Sequence, residues 1–144
     1  MDIRHVDESY YVSPQIAPEE IAEIAAAGFS AIICNRPDEE IPPGLHAETM
    51  AAAANAAGLA FHVLPLTHRT MTPDNIALQA ELVENAGGKV LAYCASGTRC
   101  TVIWSLAQAM GKTMSVDEII AKAAVAGYAL DGMRPQLDAL SSRD

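Results

Sequence analysis

Short apolar runs alternate along this chain with longer helical runs, and most of the helical runs stop at glycine. "FSAIICN" (29–35) and "KVLAYC" (89–94) are continuous apolar runs, the pattern of strands buried on both faces. "LAFHVLPL" (59–66) is a third such run, and Tyr10 to Gln15 reads as a shorter strand. Between them, "APEEIAEIAAAG" opens on Pro18 and two glutamates and closes at Gly28, which are helix start and stop signals. "HAETMAAAANAAG" (46–58) is a second helix. "TPDNIALQAELVENAGG" (72–88) spaces Ile76, Ala80 and Val83 on one face before Gly87-Gly88, with Asp74 expected to cap it. Further helices are expected over Thr98 to Gly111, over "SVDEIIAKAAVAGY" (115–128), and in a short piece after Arg134-Pro135. Strands alternating with helices of this length pair in parallel and carry helices on both faces. The expected fold is α/β and three-layered, with a mostly parallel sheet of about four to five strands.

Composition narrows the class. The 144 residues are expected to form one domain (1–144), with no internal repeat and no linker long enough to divide it. Hydrophobic residues make up 51% and charged ones 19%, which excludes disorder, and no run is long enough to span a membrane. A net charge of −9 argues against nucleic acid and against an anionic membrane surface. Met-Asp-Ile-Arg-His has no apolar signal core, so a cytoplasmic location is expected. Three cysteines at irregular spacing make no disulfide framework, and the four histidines show no metal-site spacing beside them. No metal or cofactor is expected.

In parallel sheets ligands bind beyond the carboxyl ends of the strands, which is where Cys94 stands. Cys94-Ala95-Ser96-Gly97-Thr98-Arg99 then leads into a helix. Small residues and a glycine let successive backbone N–H groups turn inward and form an anion-binding concavity. The helix beginning near Thr98 adds the positive end of its dipole. Both favour a thiolate, and thiols in such settings fall from about 8.5 to roughly 3.5–7.5. Arg99 adds a fixed positive charge and a donor fork suited to an oxyanion. A free cysteine is usually a small buried hydrophobe, but Ser96, Gly97, Thr98 and Arg99 are poor core material. Cys94 is therefore read as the nucleophile and Arg99 as the group that orients the anion. Ala95, Ser96, Gly97 and Thr98 form the ring that holds it.

Cys94-x-x-Gly97-x-Arg99 at a strand-to-helix turn resembles the signature loop of cysteine-based phosphatases and of rhodanese-type sulfurtransferases. With "SPQIAPEEIAEIAAAGFSAIICNRPDEE", "HVLPL", "MTPDNI" and "VLAYCASGTRC", the chain resembles, over roughly residues 10 to 140, a small bacterial family of beta-lactamase-hydrolase-like phosphatase domains, also described as a sulfurtransferase family. The resemblance implies a cysteine-phosphatase-like fold.

The resemblance leaves the activity divided. Phosphatases of this type have five residues between cysteine and arginine, whereas this loop has four. The missing residue shortens the ring by up to about 3.3–3.6 Å of chain and removes one inward N–H. Those phosphatases have a histidine before the cysteine, where this chain has Tyr93. They also place an aspartate about thirty residues upstream as general acid, and matching "VLPLTH" puts His68 there. These departures favour a sulfurtransferase that moves sulfane sulfur from a small anionic donor, thiosulfate or a persulfide, through a Cys94 persulfide to a thiol acceptor. The alternative is a phosphatase acting on phosphoesters through a Cys94 phosphocysteine. A non-catalytic module that senses an anion or a persulfide is a second alternative.

Other residues carry weaker expectations. Cys100 is either a resolving thiol, which could also accept sulfur, or a packed cysteine. Cys34 ends a strand and is expected to be buried. Arg36 is either a second anion contact or a solvated turn residue. His68 and Arg69 lie on the same edge as the loop and are pocket candidates. His62 is expected in the core, and Trp104 to pack.

Overall fold

The computed structural model describes residues 1–142 and contains a five-stranded sheet in the order β1-β2-β5-β3-β4. β2 (Tyr10–Ser13), β5 (Lys89–Tyr93), β3 (Phe29–Cys34) and β4 (Ala60–Val63) are parallel, and β1 (Arg4–Asp7) adds antiparallel to β2 at one edge. Six helices complete the described chain: α1 (Ile21–Ala26), α2 (Ala47–Ala56), α3 (Pro73–Glu84), α4 (Thr98–Gly111), α5 (Val116–Val125) and α6 (Arg134–Ser141).

The order in which strands are visited decides which helix covers which face. From β2 the chain moves to β3 and then β4, travelling one way across the sheet; it then returns to insert β5 between β2 and β3. Right-handed crossovers put helices on opposite faces when the direction of travel reverses. Accordingly, Ile21 and Ile24 of α1 and Met50 of α2 pack on one face with Ile32, Leu91 and Tyr93. Ile76 of α3, Ile103 of α4, Ile119 of α5 and Leu137 of α6 pack on the other with Val90, Ala92 and Cys94. The two-residue period of β5 thus separates Tyr93 from Cys94. The point of reversal opens a crevice at the carboxyl end of β5, and the Cys94 loop begins there.

Three differences from the expected elements have local causes. β1 is absent from the expected pattern because Arg4, His5 and Asp7 leave Val6 as its one buried residue. β4 is shorter than 59–66 and lies at the opposite edge, so His62 is half-buried on it and not a core histidine. Beyond β4, the Leu64 and Leu66 amides still donate to Cys34 O and Asn35 O, both at 2.9 Å, which carries the chain along the sheet edge. The cap of α3 is Thr72, whose hydroxyl accepts from the Asn75 amide; Asp74 lies in the first turn, where a negative charge suits the dipole.

A buried polar chain crosses the face that carries α3 and α4. Asn35 Nδ2 donates to Leu64 O (2.9 Å) and Gln79 Oε1 (3.0 Å), Gln79 Nε2 donates to Asn35 Oδ1 (3.0 Å) and Tyr10 Oη (3.1 Å), and Tyr10 donates to Cys100 O (2.7 Å). Asn35, Gln79 and Tyr10 are each at most 2% exposed, so a lost partner is not replaced by water. Gln79→Leu strands the Asn35 amide oxygen and should lower stability by about 2–3 kcal/mol in urea unfolding. In a double-mutant cycle with Asn35→Leu the two positions should couple by about 1–3 kcal/mol; additive losses would contradict the network.

Candidate active site

β5 ends at Tyr93, whose carbonyl accepts from the Asn35 amide at 2.9 Å, and the Cys94 amide donates to Ser13 O at 3.4 Å. Cys94 is thereby pinned between the ends of β2 and β3. Gly97 then starts α4 with φ of 92°, in the left-handed region, and aims its N–H at Cys94 Sγ at 3.1 Å. A Cβ at this position would collide with the Tyr128 hydroxyl, which donates to Ser96 O at 2.9 Å. Backbone angle and close approach both require glycine. Ala95, Ser96 and Thr98 are exposed around the loop, and the Ser96 and Thr98 hydroxyls share a 2.9 Å hydrogen bond.

Cys94 is fully buried, in contrast to the reachable thiol the sequence suggested. Burial disfavours the thiolate, yet the pKa falls from 9.0 to about 5. The largest cause is the hydrogen bond from the Cys100 thiol; burial opposes it, and the backbone amides of Cys100, Ser96 and Gly97 reinforce it. Cys100 shows the reverse effect. Burial pushes its thiol well above the ordinary range, and its bond to Cys94 pushes it further, so Cys100 keeps the proton it offers. All three cysteines are free thiols. Cys34 is buried on the opposite face, raised mainly by burial, with Sγ 3.4 Å from Arg36 O. Tyr93 lies on that face too, its hydroxyl without a nitrogen or oxygen partner among the described residues.

Arg99 is held as a fork. Nη1 and Nη2 donate to the two Glu40 carboxylate oxygens, both at 2.8 Å, and Nη1 also donates to Leu66 O at 2.8 Å. Glu40 in turn holds Arg36 Nε at 3.0 Å. The Arg99 guanidinium, aided by that of Arg36, keeps the Glu40 carboxyl below its usual range against partial burial. The sequence reading gave the thiolate to the loop amides and the helix dipole; the Gly97 amide fits that reading, and the Cys100 thiol is a donor it did not foresee. With the end fork of Arg99 committed to Glu40, Nε–H and the remaining Nη2–H form a second fork that has no protein acceptor among the described residues.

Glu40 escaped sequence reasoning, although its position four residues after Arg36 was the available signal. His68, a pocket candidate from the sequence, lies in the loop after β4. With Thr98, Arg99, Met71, Val102, Leu106, Met133 and Gln136 it lines a cleft of about 320 Å³ that contains no carboxylate. The Arg69 side chain is exposed and does not line that cleft. Trp104 packs as expected, 3% exposed. Among the described residues no group of three or more His, Cys, Asp or Glu could hold a metal ion, and no helix is long and apolar enough to cross a membrane.

Comparison with known proteins agrees with this architecture. The chain is 33% identical over 132 residues to a beta-lactamase hydrolase-like protein of Xylella fastidiosa, a match that takes in 90% of this chain and 30% of that one. It thus spans about a third of the length of the curated relatives it matches. A Neisseria meningitidis protein crystallised as a candidate phosphatase superposes with a TM-score of 0.85 at 37% identity, covering 97% of this chain and 99% of the other. Tk-PTP in its active form shares the fold at 18% identity, with a TM-score of 0.71 over 99% and 98% of the two chains. The family model described as beta-lactamase hydrolase-like protein, phosphatase-like domain, matches residues 2–111, and the chain belongs to that family.

Proposed function

We propose that the chain is a cysteine-dependent phosphatase that hydrolyses phosphomonoesters through a phosphocysteine at Cys94. The observation that carries this reading is the unpaired second fork of Arg99, held rigid by Glu40 beside the start of α4. A fork of that geometry fits two oxygens of a phosphoryl group. The reading reverses the order drawn from the sequence, where sulfur transfer stood first; membership of a phosphatase-like family supports the change.

Cys94 thiolate attacks phosphorus, an S–P bond forms, and the P–O bond to the leaving group breaks with its electron pair. The loop amides and Arg99 hold the non-bridging oxygens as charge develops. His68, lining the same cleft, is the candidate that gives the departing oxygen its proton. Water then attacks phosphorus as His68, now deprotonated, takes its proton; the S–P bond breaks with its electron pair to Cys94, and phosphate leaves the thiolate. The loop amides, Cys100 and Arg99 supply the electrostatics, so no step in this scheme calls on a cofactor.

Sulfur transfer remains the second reading because two observations favour it. The ring has four residues and closes on Sγ itself, with the Gly97 amide at 3.1 Å, and the cleft holds no carboxylic acid. Expelling sulfite from thiosulfate needs no proton donor. Intact mass after thiosulfate treatment, read beside p-nitrophenyl phosphate hydrolysis, separates the two: a gain of one sulfur at Cys94 with no hydrolysis would replace the phosphatase reading.

Cys94→Ser should lower p-nitrophenyl phosphate turnover by about a thousandfold or more, and retention of activity would refute the mechanism. Because the thiol is protonated below about 5 and ionised above it, kcat/KM should rise with pH through about 5. Thiolate ultraviolet absorbance, as a difference from Cys94→Ser, should show the same midpoint; a midpoint near the unperturbed value of about 8.5 would contradict it. Arg99→Lys should cost about 100-fold or more in kcat/KM, since a point charge replaces a fork. His68→Ala should slow alkyl phosphates more than aryl ones by about tenfold, since a poor leaving group needs the proton more. Equal losses on both would remove His68 from the acid role.

A further inference from the structure

The two arginines of the site share one oxygen atom. Glu40 Oε1 accepts from Arg36 Nε at 3.0 Å and from Arg99 Nη2 at 2.8 Å. Two guanidiniums bound to one atom are immediate neighbours, and the single carboxylate leaves one net positive charge on the trio. Arg36 is also tied to the other end of the Cys94 loop. Its Nη1 donates to Gln15 Oε1 at 3.3 Å, and the Gln15 amide donates to Ala95 O at 3.4 Å. Arg36 is thus linked to the loop at one remove on either side, through Gln15 and through Glu40.

The Arg36 side chain is only 20% exposed. Among the described residues, two of its N–H groups have an acceptor, and both Nη2 hydrogens have none. Nη2 is not sealed from water, so these donors are open to an acceptor arriving from solution. A structural role in holding Glu40 uses Nε alone and leaves Nη2 unexplained. The nearby acidic groups do not fill the space. Glu40 is spent on the two arginines, and Asp38 Oδ1 accepts the Ala47 amide at 2.9 Å. The net charge of −9 repels polyanions elsewhere on the molecule, so any attraction for them is local.

We propose that Arg36 is a second anion-binding point of the catalytic site, so that preferred substrates carry a second phosphoryl group beside the scissile one, as in a diphosphate or a vicinal bisphosphate. The assignment rests on the reading of the Cys94 loop as the phosphoryl site. Arg99 and the loop amides take the scissile group, and Arg36 takes its neighbour with Nη2. Glu40 fixes the separation of the two by holding both cations. Arg36 is thus a specificity-determining residue: it adds affinity for the second anion and touches no bond that breaks.

Calorimetric titration of the full chain with inorganic phosphate and with pyrophosphate tests this, comparing wild type with Arg36→Gln and Arg36→Lys. Wild type should bind pyrophosphate about tenfold or more tighter than phosphate. Arg36→Gln keeps polar contact with Glu40 and Gln15 but loses the charge, so it should shrink that ratio to about two- or threefold while phosphate affinity changes less than about threefold. Arg36→Lys should recover only part of the ratio. An unchanged ratio in Arg36→Gln, equal loss of both anions, or no binding of pyrophosphate by wild type would each overturn the proposal. Thermal melts of both variants establish folding, and if Arg36→Gln does not fold, the ratio in Arg36→Lys decides in the same way. The same comparison in a Cys94→Ser background, which cannot form the phosphocysteine, reads binding without turnover. A protein that ranks the anions as stated but never hydrolyses p-nitrophenyl phosphate keeps the subsite and loses the phosphatase reading, and one that hydrolyses it with no preference loses the subsite alone.

Discussion

A buried sulfur anion governs the arrangement of everything near it. Cys94 is fully buried, and an isolated ion there would cost several kcal/mol. Depression of its pKa from 9.0 to about 5 corresponds to on the order of 5 kcal/mol in favour of the ion. Only hydrogen bonds made directly to the charge are large enough to reverse the burial penalty, at about 1.5–3 kcal/mol each. The Gly97 amide at 3.1 Å is one such donor, and the Cys100 thiol and the neighbouring loop amides lower the pKa with it. The geometry of the loop follows from this requirement. Gly97 must take a positive φ to turn its amide inward, Tyr128 must leave room for it, and α4 must begin at the next residue.

The sheet places this requirement where a substrate can meet it. β5 is inserted last, between two strands already aligned, and its final residue therefore emerges where crossover direction reverses. Alternation along β5 sends Cys94 to the face of α4 and Tyr93 to the face of α1 and α2. The residue before the cysteine thus cannot approach the loop helix from the same side, whichever residue it is. Its identity matters for Cys34 and the opposite core, and less for the charge on Cys94. The polar chain from Leu64 through Asn35, Gln79 and Tyr10 ends on the Cys100 carbonyl, which anchors the first turn of α4 to the sheet.

What was legible in the sequence was whatever depends on local pattern. The apolar runs at 29–35 and 89–94, the helix from Thr98 to Gly111, and the strand-to-helix turn at Cys94 are written in consecutive residues, and the structure contains all of them. What escaped depends on distant partners. β1 has one buried side chain, so no periodicity marks it. His62 looks like a core residue until β4 is known to be an edge strand. Glu40 lies 59 residues from Arg99, and nothing local says that the two meet. The pairing of Arg99 escaped for the same reason. A cation five residues away is visible in a sequence, whereas its capture by a carboxylate from another loop is not.

That capture also bears on which group the site transfers. A four-residue ring closing on sulfur suits a persulfide, so ring length by itself leans toward sulfur transfer. A persulfide carries its charge on the terminal sulfur, and amides aimed at that point suffice for it. A phosphoryl group spreads charge over three oxygens and needs donors displaced to the side of the sulfur, in a fixed plane. Arg99 clamped by Glu40 is such a donor, and the clamp costs the site one acidic residue and half of a guanidinium to hold the other half still. Rigid positioning of a fork has a purpose when two oxygens must be met at once. Thiosulfate, a dianion with three oxygens of its own, would meet the same fork, whereas a persulfide donor offers no such pair of oxygens.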